Sequence, residues 1–142
     1  GWSDSICTGL QIANFCQDVR IDAIRERYYL PESRMQKAGI TQQDWKDGTT
    51  KAREALTDWV AYAREHFDAG QPLTKHGANW LRRSVQLFLG GGIQILQNIQ
   101  RIQYDVWSNS PEVSKLQKAR LVVNALLASR HLPASRDLPT KP

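Results

Sequence analysis

The sequence has few cysteines, few prolines before its last dozen residues and no long apolar run. Its two cysteines, Cys7 and Cys16, are too few for the disulfide framework of a small secreted domain. Both lie on one predicted helix and point to opposite sides, which predicts free thiols and neither a disulfide nor a metal site. No apolar stretch approaches the roughly 18 residues of a membrane span, and no signal peptide opens the chain. A cytoplasmic protein is therefore expected.

The sequence also lacks the residue patterns of several function classes. The net charge is +5, but lysine and arginine are scattered and form no block typical of a nucleic-acid interface. No nucleic-acid partner is therefore expected. No Ser/His/Asp or Cys/His arrangement indicates nucleophilic catalysis. No β-type alternation persists, whereas apolar residues recur at helical spacing through most of the chain. The sequence thus predicts an all-α fold.

Helix start and stop signals divide the chain into elements. Thr41 begins a capping box for a short helix that Gly48 ends, and Pro111 suits the first position of the last helix. The other predicted helices span about residues 4–25, 32–38, 50–69, 78–106 and 111–129. Residues 131–142 are rich in proline and lack periodicity, so a domain of residues 1–130 followed by a flexible tail is expected.

The first predicted helix carries one narrow polar stripe. Its members are Gln11, Asn14, Asp18 and Asp22, at positions i, i+3, i+7 and i+11. At about 100° per residue these positions fall within an arc of roughly 80°, and the rest of the helix surface is mostly apolar. A surface helix would have a broader polar face. The stripe is therefore expected to face a polar cavity inside a helical bundle.

The two aspartates of the stripe suit a divalent cation. Asp18 and Asp22 are one helical turn apart, so their carboxylates repel each other, and more strongly when buried. A bound cation removes that repulsion. Magnesium fits best, because it takes hard oxygen ligands from one or two carboxylates together with substrate phosphates. The alternative is an exposed helix end at which Asp22 pairs with Arg25 or Arg20.

Two segments of the chain resemble a known family. Residues 11–22 (QIANFCQDVRID), followed by residues 27–31 (RYYLP), resemble the second aspartate-rich motif of the squalene and phytoene synthase family. That motif combines an amide-bearing helix, an aspartate pair four residues apart and a downstream Arg-aromatic-Tyr-Leu-Pro segment, which is far more specific than DxxxD alone. Residues 94–105 continue the resemblance, which covers most of the chain but only the C-terminal half of the family's catalytic domain.

The resemblance implies an all-α isoprenoid synthase bundle, Mg²⁺ as cofactor and a long isoprenoid diphosphate as substrate. Carried over by position, Asp18 and Asp22 are the magnesium ligands and the catalytic residues. Substrate-binding roles pass to other positions of the two segments, namely Gln11, Asn14, Gln17, Arg27 and Tyr29. No segment matches the family's first aspartate-rich motif, so self-association or pairing with a missing N-terminal half is expected. The lipid product also implies peripheral membrane contact.

Finer features indicate a branch of the family. Residues 90–92 (GGG) and residues 7–11 (CTGLQ) resemble the bacterial hydroxysqualene synthases of hopanoid pathways, in which presqualene diphosphate ionises and water captures the rearranged cation. Ser110 departs from this pattern, because those enzymes carry an arginine there. Lys115 or Arg101 is a candidate substitute cation without the bidentate fork. The alternatives are head-to-head condensation of farnesyl or geranylgeranyl diphosphate to squalene or phytoene, and a non-catalytic assembly subunit.

The glycine run also has a physical cost. Each glycine inside a helix costs about 1 kcal/mol relative to alanine, so a compensating gain is expected from a wide hydrocarbon channel or a close helix neighbour. The alternative is a break between two shorter helices. Trp59 and Trp80 occur at helical spacing and are predicted to lie in the core.

Overall fold

The computed structural model describes residues 1–76 and 78–128. Helices make up 76% of it, and no strand occurs in the described residues, which confirms the all-α prediction. The helices are α1 (Trp2–Gln17), α2 (Val19–Ile24), α3 (Glu32–Ala38), α4 (Gln42–Asp47), α5 (Thr50–Gly70), α6 (Asn79–Arg101) and α7 (Lys115–Ala128), with a short 3-10 helix at Gln71–Lys75. None of the described helices combines the length and apolar character needed to cross a membrane. The predicted tail, residues 131–142, lies outside the described residues.

The core forms where α1 packs against the two long helices α5 and α6. Each of the three helices contributes one apolar face, because its apolar residues recur at helical spacing. The buried side chains of this core include Ile6, Ile12, Ala13, Cys16, Leu56, Val60, Ala63, Phe67, Leu89, Leu96 and Ile99. Their removal from water supplies the main driving force for the packing. Cys7, Gln11 and Asn14 remain exposed on α1, so the described chain covers this helix on one side.

The glycine run lies inside a continuous helix. α6 passes through residues 90–92 without interruption, so the predicted alternative of a helix break is wrong. A Cβ at Gly92 would overlap the ring of Phe67, whereas a Cβ at Gly91 would meet nothing within 4 Å. A Cβ at Gly9 of α1 would lie 2.8 Å from the same Phe67 ring. Gly9 and Gly92 therefore allow α1 and α6 to approach this aromatic side chain of α5 closely.

The first predicted helix is bent at Asp18. This residue lies between α1 and α2 with φ −97° and ψ 9°. Its carbonyl oxygen nevertheless accepts a 2.9 Å hydrogen bond from the Asp22 N–H. The helical hydrogen bonding continues across the bend, which explains why the sequence pattern predicts one helix over residues 4–25. The polar stripe thus crosses a bend.

The late helix α6 ends earlier than predicted. It stops at Arg101 rather than near residue 106, because Gln103 and Tyr104 adopt positive φ angles of 53° and 60°. Neither residue is a glycine, so no sequence signal marked this turn. After the turn, the Asp105 carboxylate forms a 3.1 Å salt bridge with Arg53 of α5. The chain therefore turns back toward α5 before the last helix begins.

The last helix α7 begins at Lys115, so the predicted start at Pro111 is wrong. A capping box sets the observed start. The Ser114 N–H donates to Gln117 Oε1 at 2.8 Å, and the Gln117 N–H donates to Ser114 Oγ at 3.2 Å. Serine followed three positions later by glutamine was the signal for this boundary. Proline at a first helical position is permitted, but it contributes no such hydrogen bonds.

The two short helices match the sequence prediction. Gly39 and Gly48 end α3 and α4 with φ angles of 63° and 64°, a left-handed conformation that glycine adopts without strain. The Asp44 N–H donates to Thr41 Oγ1 at 3.1 Å, and the Thr41 N–H donates to Asp44 Oδ2 at 2.8 Å. These bonds confirm the capping box.

The tryptophan prediction is right at one position and wrong at the other. Trp59 is buried in the core, but Trp80 is 70% exposed at the start of α6. Helical spacing identifies a shared face, whereas it does not tell which turns of that face a neighbouring helix covers. Cys7 is exposed and Cys16 is buried, and both are free thiols as predicted.

Candidate functional site

The polar stripe lies on the side of the first helix that α5 and α6 leave uncovered. Gln11, Asn14 and Asp18 are exposed, whereas Gln17 and Asp22 are half-buried. Ile12, Ala13 and Cys16, on the opposite side of α1, are buried in the core. Gln11, Asn14 and Asp18 therefore share the uncovered side of α1 and its C-terminal end, whereas Asp22 lies beyond the bend on α2. Concave surfaces border the stripe near the bend.

The first concave surface, here called the Asp18 groove, has a volume of about 340 Å³. It lies between the bend and the segment that follows α6. Its lining residues are Gln17, Asp18, Arg20, Ile21, Ile24, Val106, Asn109, Ser110 and Glu112. Polar and apolar groups thus share the groove, as binding of a charged head with a hydrocarbon chain requires.

The electrostatics of the groove favour a cation beside Asp18. Burial raises the pKa of the Asp18 carboxyl, the Asp22 carboxylate raises this pKa further, and the Arg25 guanidinium opposes both effects. Within the described residues neither Asp18 nor Asp22 forms a salt bridge, so the pairing of Asp22 with Arg25 or Arg20 is not formed. The carboxylate repulsion predicted from the one-turn spacing is therefore present, and the Arg25 guanidinium offsets it in part without forming a salt bridge. A bound cation would relieve it.

Asp22 borders a second, much smaller space, here called the Asp22 cavity, of about 10 Å³. Its lining residues are Phe15, Val19, Asp22, Arg27, Tyr29, Leu30, Trp45 and Trp59. The rings of Phe15 and Tyr29 stack at 4.2 Å with an interplanar angle of 5°, and the Arg27 N–H donates to the Asp22 carbonyl oxygen at 2.8 Å. The fold therefore brings Arg27 and Tyr29 to Asp22, and it opens Asp18 toward a different surface.

The carboxylates suit magnesium, although they form no closed metal site by themselves. In residues 1–76 and 78–128 no group of three or more His, Cys, Asp or Glu side chains is arranged to hold a metal ion. Magnesium is commonly held by one or two carboxylates, while phosphate oxygens and water complete its octahedron. Asp18 and Asp22 are therefore carboxylates of the kind that hold magnesium together with a diphosphate, although the fold places them beside separate concave surfaces.

The groove includes residues that the sequence analysis did not select. Arg20, Asn109 and Glu112 line it beside Ser110, whereas neither of the expected substitute cations does. Arg101 instead donates to Asn98 Oδ1 at 3.2 Å. Arg20 follows Asp18 by two positions and could have been found from that proximity. The segment with Asn109 and Glu112 is brought there by tertiary packing and carries no local signal.

Comparisons with known proteins identify the family of the chain. A family model described as squalene/phytoene synthase matches residues 1–122. The chain is 31% identical over 130 residues to phytoene synthase 3, chloroplastic, of Zea mays, covering 88% of this chain and 30% of that protein. It is 32% identical over 135 residues to the chloroplastic phytoene synthase of Daucus carota, covering 92% and 33% respectively. The chain thus spans about a third of the length of these curated relatives.

Proposed function

The chain belongs to the squalene/phytoene synthase family, and from this premise we propose that it carries the diphosphate-binding part of a magnesium-dependent isoprenoid synthase site. The observation that carries the proposal is the Asp18 groove. It joins a carboxylate without a salt-bridge partner to apolar walls at the bend of the motif-bearing helix. The all-α fold is consistent with the isoprenoid synthase fold.

The proposed reaction is ionisation of an allylic or cyclopropylcarbinyl diphosphate. The carbon–oxygen bond breaks and its electron pair leaves with the diphosphate, so negative charge develops on the leaving group while a carbocation forms. Mg²⁺, when bound, would neutralise the negative charge on that leaving group. No general base is needed for this step.

The residues of the chain take distinct roles in this proposal. Asp18 and Asp22 would hold magnesium, and the amides of Gln11 and Asn14 would contact the diphosphate. Arg20 provides the cation that lines the groove beside Ser110, where the resembling enzymes carry an arginine. The remaining proposed contacts to the substrate come from Gln17, Arg27 and Tyr29. Ile21, Ile24 and Val106 form the apolar side of the groove, which suits a hydrocarbon chain.

Two reactions of this class differ in substrate and product. The glycine run and the opening CTGLQ segment favour conversion of presqualene diphosphate to hydroxysqualene or squalene-type C30 products. The phytoene synthases among the relatives favour the second candidate, head-to-head condensation of farnesyl or geranylgeranyl diphosphate. Product analysis with these three diphosphates and Mg²⁺ distinguishes the candidates.

We also propose that the described helices need a further partner to complete the site. Two carboxylates from one bent helix cannot position the several magnesium ions that would neutralise a diphosphate with up to three negative charges. Ile24, Trp80 and Phe88 are 73%, 70% and 60% exposed, and large exposed apolar side chains favour association. Sedimentation should show self-association or pairing with another part of the enzyme. A monomer of this chain that converts presqualene diphosphate with Mg²⁺ would overturn this part of the proposal.

Localisation follows from the proposed reaction. A C30 hydrocarbon product is insoluble in water, so we propose a cytoplasmic protein that makes peripheral contact with a membrane. Flotation with liposomes would test this contact. Recovery of the protein without vesicles would contradict it.

The proposed function is tested most directly by binding of inorganic pyrophosphate. Calorimetry should show that pyrophosphate binds in the presence of Mg²⁺ and that binding is lost in Asp18→Asn. Asp68→Asn is the matched control, because Asp68 is exposed on α5 and lies outside the groove lining. Equal pyrophosphate affinity in Asp18→Asn and Asp68→Asn would refute the assignment of Asp18.

A further inference from the structure

A buried amide lies behind the Asp18 groove. Asn98 is 5% exposed and is the buried polar residue of the described core. It lies on α6, where its near neighbours in sequence, Leu96 and Ile99, are also buried. A buried carboxamide is costly unless both its oxygen and its nitrogen form hydrogen bonds. The hydrogen-bond partners of the Asn98 side chain therefore indicate its structural role.

The oxygen of this amide gathers donors from two helices. Asn98 Oδ1 accepts hydrogen bonds from Gln94 Nε2 at 3.2 Å, from Arg101 Nη1 at 3.2 Å and from Gln117 Nε2 at 3.0 Å. Gln94 and Arg101 belong to α6, whereas Gln117 belongs to α7. The oxygen thus links the two helices.

The nitrogen of the same amide holds the backbone that precedes α7. Asn98 Nδ2 donates to the Glu112 carbonyl oxygen at 2.9 Å and to Gln117 Oε1 at 3.3 Å. Residues 111–114 are not helical, so the Glu112 carbonyl accepts from this side chain rather than from a helical N–H. Pro111 is buried next to it. The Asn98 side chain therefore holds residues 111–114 against α6 just before α7 begins.

The anchored segment is a wall of the groove. Ser110 and Glu112 line the Asp18 groove, and the Glu112 backbone is the group that Asn98 holds. We propose that Asn98 is a positioning residue, which holds this wall at the distance from Asp18 that binding of a magnesium diphosphate requires. The inference rests on the proposed function of the groove. It adds a determinant outside the residues that contact the ligand.

Asparagine is suited to this place because it both accepts and donates. Asn98→Asp keeps an acceptor for Gln94, Arg101 and Gln117, but it cannot donate to the Glu112 carbonyl. Asn98→Ala removes the amide without adding a charge, so it reports on the same anchor if the aspartate variant fails to fold. Gln100→Glu is the matched control. Gln100 is an exposed carboxamide on the same helix, so this variant makes the same change of charge.

Two measurements on the purified protein test the proposal. Hydrogen–deuterium exchange of residues 108–114 should become faster in Asn98→Asp and Asn98→Ala, and should not change in Gln100→Glu. Pyrophosphate with Mg²⁺ should bind about three- to tenfold more weakly to the two Asn98 variants, which is the loss expected for one hydrogen bond. Helical circular dichroism should remain the same in all the variants.

The outcomes separate this inference from the proposed function. Faster exchange together with unchanged pyrophosphate affinity would overturn the positioning role, because the anchor would then be purely structural. Unchanged exchange in both Asn98 variants would overturn the anchor itself. Absence of pyrophosphate binding by the wild-type protein would instead refute the proposed function and, with it, the ligand that Asn98 is proposed to serve.

Discussion

Alanine substitution at two adjacent glycines of α6 is expected to change the stability of the protein in opposite directions. Gly91→Ala and Gly92→Ala make the same chemical change one position apart in the same helix. A Cβ at Gly91 meets nothing within 4 Å, whereas a Cβ at Gly92 overlaps the ring of Phe67. Alanine should therefore stabilise the protein at position 91 and destabilise it at position 92.

The magnitudes follow from two opposing contributions. Replacing glycine by alanine in a helix interior stabilises it by about 1 kcal/mol. Overpacking of a well-filled core costs about 1–3 kcal/mol. Phe67 is 1% exposed and belongs to the core, so its ring has little room to move. Gly91→Ala should thus gain about 1 kcal/mol, while Gly92→Ala should lie about 1–3 kcal/mol below it.

Thermal unfolding followed by circular dichroism measures this difference. For a chain of this size, 1 kcal/mol shifts Tm by about 4 °C, so the two alanine variants should differ by about 4–12 °C. The penalty of Gly92→Ala should also shrink when Phe67→Leu is present, because the smaller side chain makes room for the new methyl group. Equal Tm values for the two alanine variants would refute the close approach of α5 and α6 at Gly92.

Three further predictions concern the site. In the complete enzyme, Asp18→Asn and Asp22→Asn should each lower turnover of an isoprenoid diphosphate by orders of magnitude with unchanged helical circular dichroism, and near-normal turnover in both would contradict the metal assignment. Folding raises the pKa of Asp18 from 3.8, so the protonated carboxyl favours the folded state. This contribution to the free energy of unfolding is fully present below pH 3.8 and is lost as the pH rises through the folded pKa. Asp18→Asn should therefore melt above the wild type at pH 7 and equally at pH 3, and a lower Tm at pH 7 would exclude the raised pKa. Ser110→Arg should tighten binding of pyrophosphate with Mg²⁺ in calorimetry, because it adds a cation to the Asp18 groove. Unchanged affinity would indicate that Arg20 already supplies the needed charge.

Local signals in the sequence predicted most of the secondary structure. Gly48 and the capping box at Thr41 predicted α4, and Gly39 ends α3 in the same way, because capping depends on groups within three or four residues of each other. The same short range explains the errors. The end of α6 depends on left-handed Gln103 and Tyr104, which no glycine marks, and the start of α7 depends on a capping box at Ser114 that the preceding proline obscured.

The sequence by itself determined the polar stripe of the first helix. Spacing along one helix decides which residues share a face, so Gln11, Asn14 and Asp18 could be grouped before any fold was available. The sequence likewise carried the family motif, which depends on residue identities within one short stretch.

Tertiary structure alone decided what meets the stripe. Asp18 faces Glu112 and Ser110 across the groove, Asp22 meets Tyr29 at a separate cavity, and Gly92 rather than Gly91 contacts Phe67. Each of these relations joins parts of the chain that are distant in sequence. They arise when α1, α5 and α6 pack their apolar faces together. The burial of apolar surface is non-directional, so it selects no particular pair of residues until whole helices pack closely against each other.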